Sequence, residues 1–171
     1  TMPECPIRLL GTGKQGSVMD NAPIQISETT YDDLPALLAL LAYLHPGDVV
    51  PIADDALLAQ WQAMLTTSML RILVVRNGDE LVSTCTLTIV PNLTRGARPY
   101  ALIENVVTHP DWRSKGIGTA VLRHALSIAW TENCYKAMLL TGSKREETLR
   151  FYETLGFARG EKTGFVARPD A

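Results

Sequence analysis

Residues 106–119 read Val-Val-Thr-His-Pro-Asp-Trp-Arg-Ser-Lys-Gly-Ile-Gly-Thr, a short apolar run that enters a glycine-rich turn. An amphipathic stretch follows at once, with Ile117, Val121 and Ile128 at helical spacing. This order predicts a strand, a turn and a helix in direct succession. Glycine has no Cβ to hold a phosphate away from the backbone, and the first turn of a helix offers free N–H groups to an anion. The stretch therefore predicts a phosphate-binding loop.

Two further motifs surround this loop. The strand Ile103-Glu104-Asn105-Val106-Val107 directly precedes it, and residues 149–157 read Leu-Arg-Phe-Tyr-Glu-Thr-Leu-Gly-Phe. In this order they resemble the central strand, the Arg-x-x-Gly-x-Gly pyrophosphate loop and the C-terminal motif of the GNAT family of N-acetyltransferases. The resemblance covers Ala101 to Phe157. It implies an α/β fold: a single domain with a splayed mixed sheet flanked by helices.

The resemblance also implies acetyl-CoA as cosubstrate and a place for it. Backbone groups of the central strand would pair with pantetheine as if it were another strand. Amides of the loop would hold the pyrophosphate, with added charge from two basic side chains. The cofactor-binding residues expected on this basis are Val106, Val107, Thr108, Arg113, Ser114, Lys115, Gly116, Ile117, Gly118, Thr119 and Arg145.

Two side chains are candidates for the chemistry that the resemblance implies. An alkyl amine is mostly protonated at neutral pH, so a base helps, and Glu104 on the strand beside the expected thioester is the candidate. Tyr152 matches the family tyrosine whose hydroxyl faces the CoA sulfur and protonates the departing thiolate. For each residue the alternative is structural: a solvated strand glutamate and a tyrosine that only packs in the core.

Two departures from relatives bear on the substrate and the cofactor. Many relatives carry asparagine seven residues before the tyrosine, where this chain has Arg145, which either reaches a phosphate or is a plain surface charge. Residues 133–136 and 103–107 also look similar to glucosamine-phosphate N-acetyltransferases. The acidic residues that those enzymes carry correspond here to Asn105 and to Leu140-Thr141-Gly142, which argues against an amino sugar phosphate as acceptor.

The remaining chain predicts the other elements of one mixed α/β domain. Turn signals at Asn77-Gly78-Asp79 join two β-branched runs into a hairpin, and residues 91–99 form a polar loop. The predicted strands are 24–27, 70–75, 81–90, 100–108, 136–141 and 157–167, and the predicted helices are 29–44, 53–65, 116–132 and 147–155.

Residues 1–22 differ from the rest and predict a flexible extension before a domain over 23–171. Met19 is an alternative natural start, with which part of this extension would be added sequence. Their tract Gly11-Thr-Gly-Lys-Gln-Gly16 formally matches the dinucleotide pattern GxGxxG. Pro23 follows soon and leaves no helix to receive a pyrophosphate, so a linker is the favoured interpretation.

Composition limits the partners. A net charge of −2 and a pI near 5.9 argue against nucleic acid, and the longest apolar stretch is too short to span a bilayer. Three scattered cysteines fit reduced thiols in a cytoplasmic protein, and the histidines have no ligand spacing, so no metal is expected. We expect a small-molecule amine as partner and a possible homodimer.

The sequence thus predicts acetyl transfer from acetyl-CoA to a primary amine of a small molecule by direct attack in a ternary complex. A protein amine is an alternative acceptor. The alternative from another functional class is a non-catalytic acyl-CoA-binding or sensor domain, which would keep the glycine loop but have no use for Glu104 and Tyr152.

Overall fold

A long β-hairpin forms the middle of the sheet in the computed structural model, which describes residues 24–44, 46–47 and 49–169. Its strands, β2 (Leu70–Asn77) and β3 (Glu80–Val90), are rich in β-branched residues and turn at Gly78, whose φ is +61°. β1 (Ile26–Glu28) pairs with β2, and β4 (Tyr100–Thr108) pairs with β3. β5 (Ala137–Leu139) adds to β4 in parallel, which gives the order β1-β2-β3-β4-β5.

Helices cover both faces of this sheet. On one face, α1 (Leu34–Leu41) and α2 (Asp55–Thr66) form a core with Ile72, Val74 and Val107. On the other, α3 (Ile117–Thr131) and α4 (Glu146–Glu153) pack over a larger core. Because each face buries apolar side chains, the sheet lies between two hydrophobic cores and contributes to both.

The observed bounds follow most of the predictions closely. β4 has the predicted bounds, α3 lies one residue inside them at each end, and the hairpin turns where expected. The first helix is shorter than predicted because Tyr31–Asp33 form a 3₁₀ turn and α1 ends at Leu41. Within the loop 91–99, Thr94–Ala97 make a single turn whose Arg95, Gly96 and Ala97 have positive φ.

The predicted last strand over 157–167 is wrong, because those residues form turns and extended coil with no ladder partner. Gly160, Gly164 and the Glu161-Lys162 pair interrupt any alternation, and the adjacent Phe165 and Val166 cannot share one face of a strand. Phe165 is 91% exposed. The expectations for residues 1–22, including the GxGxxG tract, lie outside the described residues. No helix in the described ranges is long and apolar enough to cross a membrane.

An ion pair fixes the first helix to the sheet. Asp33, directly before α1, accepts hydrogen bonds from the Thr30 amide at 2.6 Å and from Arg76 Nη2 at 2.6 Å. The Arg76 guanidinium holds the pKa of this mostly buried carboxyl at about 2, below its usual value of 3.8. The carboxylate therefore stabilises the fold fully at pH values above the pKa that this carboxyl has in the unfolded chain. This stabilisation is lost as the pH falls through about 2.

We predict that Asp33→Asn lowers the free energy of unfolding at pH 7 by about 2 kcal/mol, the value of a pKa shift of this size. The difference from the wild type should shrink below about pH 4 and vanish near pH 2, measured by urea unfolding at several pH values. Asp32→Asn, the same change at an exposed neighbour, is the control. A difference in the free energy of unfolding between Asp33→Asn and the wild type that does not depend on pH would contradict the prediction.

Candidate active site

A β-bulge in β4 separates the two halves of that strand. Glu104 lies opposite Thr86 and Val107 lies opposite Thr84, so that Asn105 and Val106 together face the single residue between those threonines on β3. Asn105 has φ +53°, a left-handed conformation that asparagine tolerates, and its Nδ2 donates to Thr86 Oγ1 at 3.4 Å. Because of the extra residue, the side chains of β4 beyond this point alternate between the two faces of the sheet in the opposite order.

The reversal decides which face each side chain occupies. Ile103 is buried in the core under α3, whereas Val107, four residues later, is buried in the core under α1 and α2. In a regular strand the two would share a face, because successive side chains alternate. Glu104 and Asn105 at the bulge are both exposed. The bulge thus presents two consecutive polar side chains to solvent in the middle of the sheet.

β4 and β5 diverge at the bulge. Their parallel pairing joins Ala101–Ile103 to Ala137–Leu139 and ends there. Beyond it, residues 104–108 have no strand on the β5 side within the part of the chain that the structure describes. No strand pairs with the backbone groups on that side, although the Thr108 carbonyl accepts from Arg113 Nε at 3.1 Å. An unpaired strand edge is the arrangement needed for strand-like pairing with an extended ligand.

Tyr152 on α4 lies near enough to Glu104 for the glutamate to influence ionisation of the phenol. Burial raises the pKa of the Tyr152 phenol, and the neighbouring Glu104 and Cys85 raise it further. Its ring is half-buried between Phe151 and Phe157. A glutamate in β4 and a tyrosine in α4, far apart in sequence, therefore lie near each other in the fold.

The predicted phosphate loop joins β4 to α3. His109 begins a 3₁₀ turn over Pro110–Trp112, and Ser114 and Gly116 follow with φ of +58° and +76°. Left-handed residues in a turn of this kind can direct neighbouring amides toward an anion. The amides from Ser114 to Thr119 donate to no backbone or side-chain acceptor within the described residues. This run of N–H groups at a helix N-terminus is suited to an anion.

The two loop glycines have different physical roles. A Cβ at Gly116 would meet nothing within 4 Å, so this glycine provides the left-handed backbone and leaves the approach to the amides open. A Cβ at Gly118 would lie 3.1 Å from Thr108 Oγ1 and 3.5 Å from Phe151 Cζ. Gly118 therefore lets α3 pack closely on β4 and α4, while its place beside the pyrophosphate stays a prediction.

The basic side chains of the site are engaged within the protein. Arg113 Nε donates to the Thr108 carbonyl at 3.1 Å, and Lys115 Nζ lies 4.6 Å from the centre of the Trp112 ring. Arg145 begins α4 and pairs with Glu147 at 2.7 Å, with its side chain 74% exposed. The loop's attraction for anions therefore rests first on backbone amides.

Sequence reasoning missed two residues of this site. Thr86 supports the bulge, and Cys85 is fully buried beneath it, with its pKa raised by burial to about 12. The sequence Thr-Cys-Thr predicts only an ordinary strand. The pairing of these residues with β4 is what places them at the site. Within residues 24–169 as described, no group of three potential ligands comes together to hold a metal ion.

Comparisons with known proteins agree with this geometry. The model of the Acetyltransferase (GNAT) family matches residues 36–157. Over 146 residues the chain is 30% identical to glucosamine 6-phosphate N-acetyltransferase of Trypanosoma brucei brucei, covering 84% of the chain and 95% of that protein.

Among solved structures, a putative acetyltransferase from Agrobacterium tumefaciens is similar at 46% identity, with a TM-score of 0.80 and coverage of 85% of this chain and 99% of that one. An acetyltransferase from Trypanosoma brucei is 28% identical, with a TM-score of 0.73 and coverage of 85% and 100%.

We predict that Gly116→Val weakens CoA binding by tenfold or more in calorimetry, since a branched side chain would enter the space in front of the amides. The left-handed strain costs about 1 kcal/mol, so the fold should persist. Gly160→Val is the control, because Gly160 has φ +79° and equally open space but lies in the C-terminal segment. Equal CoA affinity in both variants would show that the loop does not hold the cofactor.

Proposed function

The chain belongs to the GNAT family of acetyltransferases and transfers an acetyl group from acetyl-CoA to an amine, and on that premise we propose that Glu104 and Tyr152 carry the chemistry on a small cationic amine. The observation that carries the proposal is the exposure of Glu104 at the bulge where β4 and β5 separate, with Tyr152 near enough for Glu104 to add to the rise that burial causes in the pKa of the phenol. A binding domain without catalysis would have no use for this pair.

Acetyl-CoA occupies the open side of β4 in this proposal. The pyrophosphate binds the free amides from Ser114 to Thr119, which supply most of the attraction. The pantetheine arm pairs with the backbone of Val106, Val107 and Thr108, where no strand follows on the β5 side in the described chain. Arg113 and Lys115 add positive charge around the loop, and Arg145 stands at its margin.

Glu104 acts as the base. It is exposed at the bulge in β4. A carboxylate there attracts the ammonium form of the acceptor and, through a water molecule, takes the proton that must leave before attack. The amine nitrogen then attacks the thioester carbonyl and forms the C–N bond, while the Val106 N–H stabilises the oxyanion.

Tyr152 acts as the acid. The nitrogen of the tetrahedral intermediate loses its second proton to solvent as the intermediate collapses to the amide, and the C–S bond breaks, so that the CoA sulfur leaves as a thiolate that needs a proton. The pKa of Tyr152, ordinarily near 10 and raised further by burial, leaves its hydroxyl protonated at neutral pH and available as a proton donor. Transfer is direct: burial raises the pKa of Cys85 to about 12 and also raises that of Cys134, which makes both poor nucleophiles.

We propose an acceptor class other than the one for which the Trypanosoma brucei brucei relative is named. The Trypanosoma brucei brucei relative is named for glucosamine 6-phosphate, and an amino sugar phosphate is therefore the alternative substrate. This chain has Asn105 after the central glutamate and Leu140 after β5, so Glu104 would be the carboxylate that meets the acceptor at the bulge. We favour a small primary amine that carries no phosphate.

A panel of primary amines that includes glucosamine 6-phosphate tests this choice. With acetyl-CoA fixed and CoA thiol release as the readout, we expect turnover with at least one phosphate-free amine. The kcat/KM for glucosamine 6-phosphate should be at least about tenfold lower. If glucosamine 6-phosphate is the best acceptor, our choice is wrong; if no amine on the panel releases thiol while CoA binds, the binding-domain alternative gains support.

We expect Tyr152→Phe to lower kcat by at least about tenfold, because general acid help is typically worth 10²–10⁴-fold, with little change in the KM for acetyl-CoA. Glu104→Gln should lower kcat as well, because the amide cannot take the proton of the acceptor. Tyr100→Phe at the far end of β4 is the control. Normal kcat in both variants would mean that the chemistry belongs to other residues.

We also propose a cytoplasmic homodimer. The outer edge of β5 pairs with no strand in the described ranges, and the exposed Phe165 and Val166 follow Gly164, which lies against Leu140 just after β5. An open edge with exposed apolar side chains is commonly covered by a partner. Light scattering should give about twice the chain mass of 18.8 kDa; a monomer at micromolar concentration would contradict it.

A further inference from the structure

His109 lies where three parts of the site meet. It follows β4, its amide donates to the Val82 carbonyl at 2.8 Å, and its carbonyl accepts from the Trp112 amide at 2.9 Å. It thus stands between the strand expected to carry pantetheine and the loop expected to carry the pyrophosphate. Because side chains alternate beyond the bulge, its imidazole faces the same side of the sheet as Val107, under α1.

The contacts of the imidazole fix its tautomer. The Asp111 amide donates to Nδ1 at 3.3 Å, so Nδ1 carries no proton and caps the turn that begins the loop. The proton of the neutral ring is then on Nε2, which donates to the Tyr43 hydroxyl at 3.1 Å. The rings of Tyr43 and His109 also meet edge to face, with centroids 4.9 Å apart. Glu80 Oε1 lies 3.9 Å from Nε2.

Tyr43 belongs to the opposite side of the cleft. It lies in the turn that ends α1, where its amide donates to the Leu40 carbonyl, and α1 covers the face on which Glu104 is exposed. The imidazole of His109 therefore contacts the start of the loop through Nδ1 and the end of α1 through Nε2. The amides at this helix end open by local fraying unless a contact holds the turn.

We propose that His109 is a positioning residue that couples the acetyl-CoA loop to the end of α1, so that binding of the cosubstrate orders the acceptor side of the cleft. The inference rests on the proposed function only in taking residues 114–119 as the site of acetyl-CoA. When the loop is held by its ligand, the capped turn and the imidazole lose mobility, and the Nε2–Tyr43 hydrogen bond passes this restriction to α1.

Two substitutions of His109 test the contacts of its two ring nitrogens one at a time. The amide oxygen of asparagine can take the place of Nδ1, so His109→Asn keeps the cap and removes the bond to Tyr43. The longer glutamine places a donor near the position of Nε2, so His109→Gln keeps that bond and removes the cap. Tyr43→Phe removes only the hydroxyl and retains the ring contact. The controls are His124→Asn and Tyr31→Phe, both exposed.

The experiment is hydrogen–deuterium exchange of the peptide spanning residues 38–44, with and without saturating CoA. In the wild type we expect CoA to slow exchange there by about fivefold, the factor expected from one hydrogen bond. His109→Asn and Tyr43→Phe should bind CoA within twofold of wild-type affinity by calorimetry and lose most of the slowing. His109→Gln should bind CoA about fivefold more weakly and keep the slowing at saturation.

The outcomes distinguish this inference from the proposed function. If CoA binds the wild type but leaves the exchange of residues 38–44 unchanged, or if Tyr43→Phe and His109→Asn retain the full effect, the coupling is overturned and the function stands. If CoA fails to bind the wild type, the proposed cosubstrate site falls and the coupling falls with it. A merely structural role would lower the melting temperature and leave the CoA-dependent difference unchanged.

Discussion

The left-handed backbone of Asn105 is the constraint on which the rest of this site depends. It inserts one residue into β4, reverses the alternation beyond it, and so places Ile103 in one core and Val107 in the other. The same step exposes Glu104 and Asn105 together where β4 and β5 separate. The cost of a left-handed residue is offset by burial on both faces of the strand and by the hydrogen bond to Thr86.

Backbone groups supply most of the proposed cosubstrate site. The amides from Ser114 to Thr119 have no acceptor within the described residues, whereas the nearby cations already contact Thr108, Trp112 and Glu147. This division is physically reasonable, because amides fixed at a helix N-terminus need no ordering when the anion arrives. Exposed lysine and arginine side chains would lose rotamer freedom to reach it.

The two sides of the cleft are built by different parts of the chain. α1 is tied to β2 by Asp33 and Arg76 at its beginning and to the loop by Tyr43 and His109 at its end. The segment that follows α1 is the one about which the family motifs say least. Differences in acceptor among related enzymes are expected there, since the cosubstrate side is fixed by the strand, the loop and the glycines.

The sequence by itself determined the fold class and most elements, because hydrophobic periodicity, the Asn-Gly turn and the glycine motif are local signals. It also identified Glu104 and Tyr152 as the candidate pair, since each lies in a motif of contiguous residues. It failed for residues 157–167, where strand propensity depends on a partner that the described chain does not supply. Only the tertiary structure decided the bulge at Asn105, the packing role of Gly118 and the two-sided contacts of His109. Each of these arises where residues distant in sequence meet, and no local pattern records which side chain faces which neighbour.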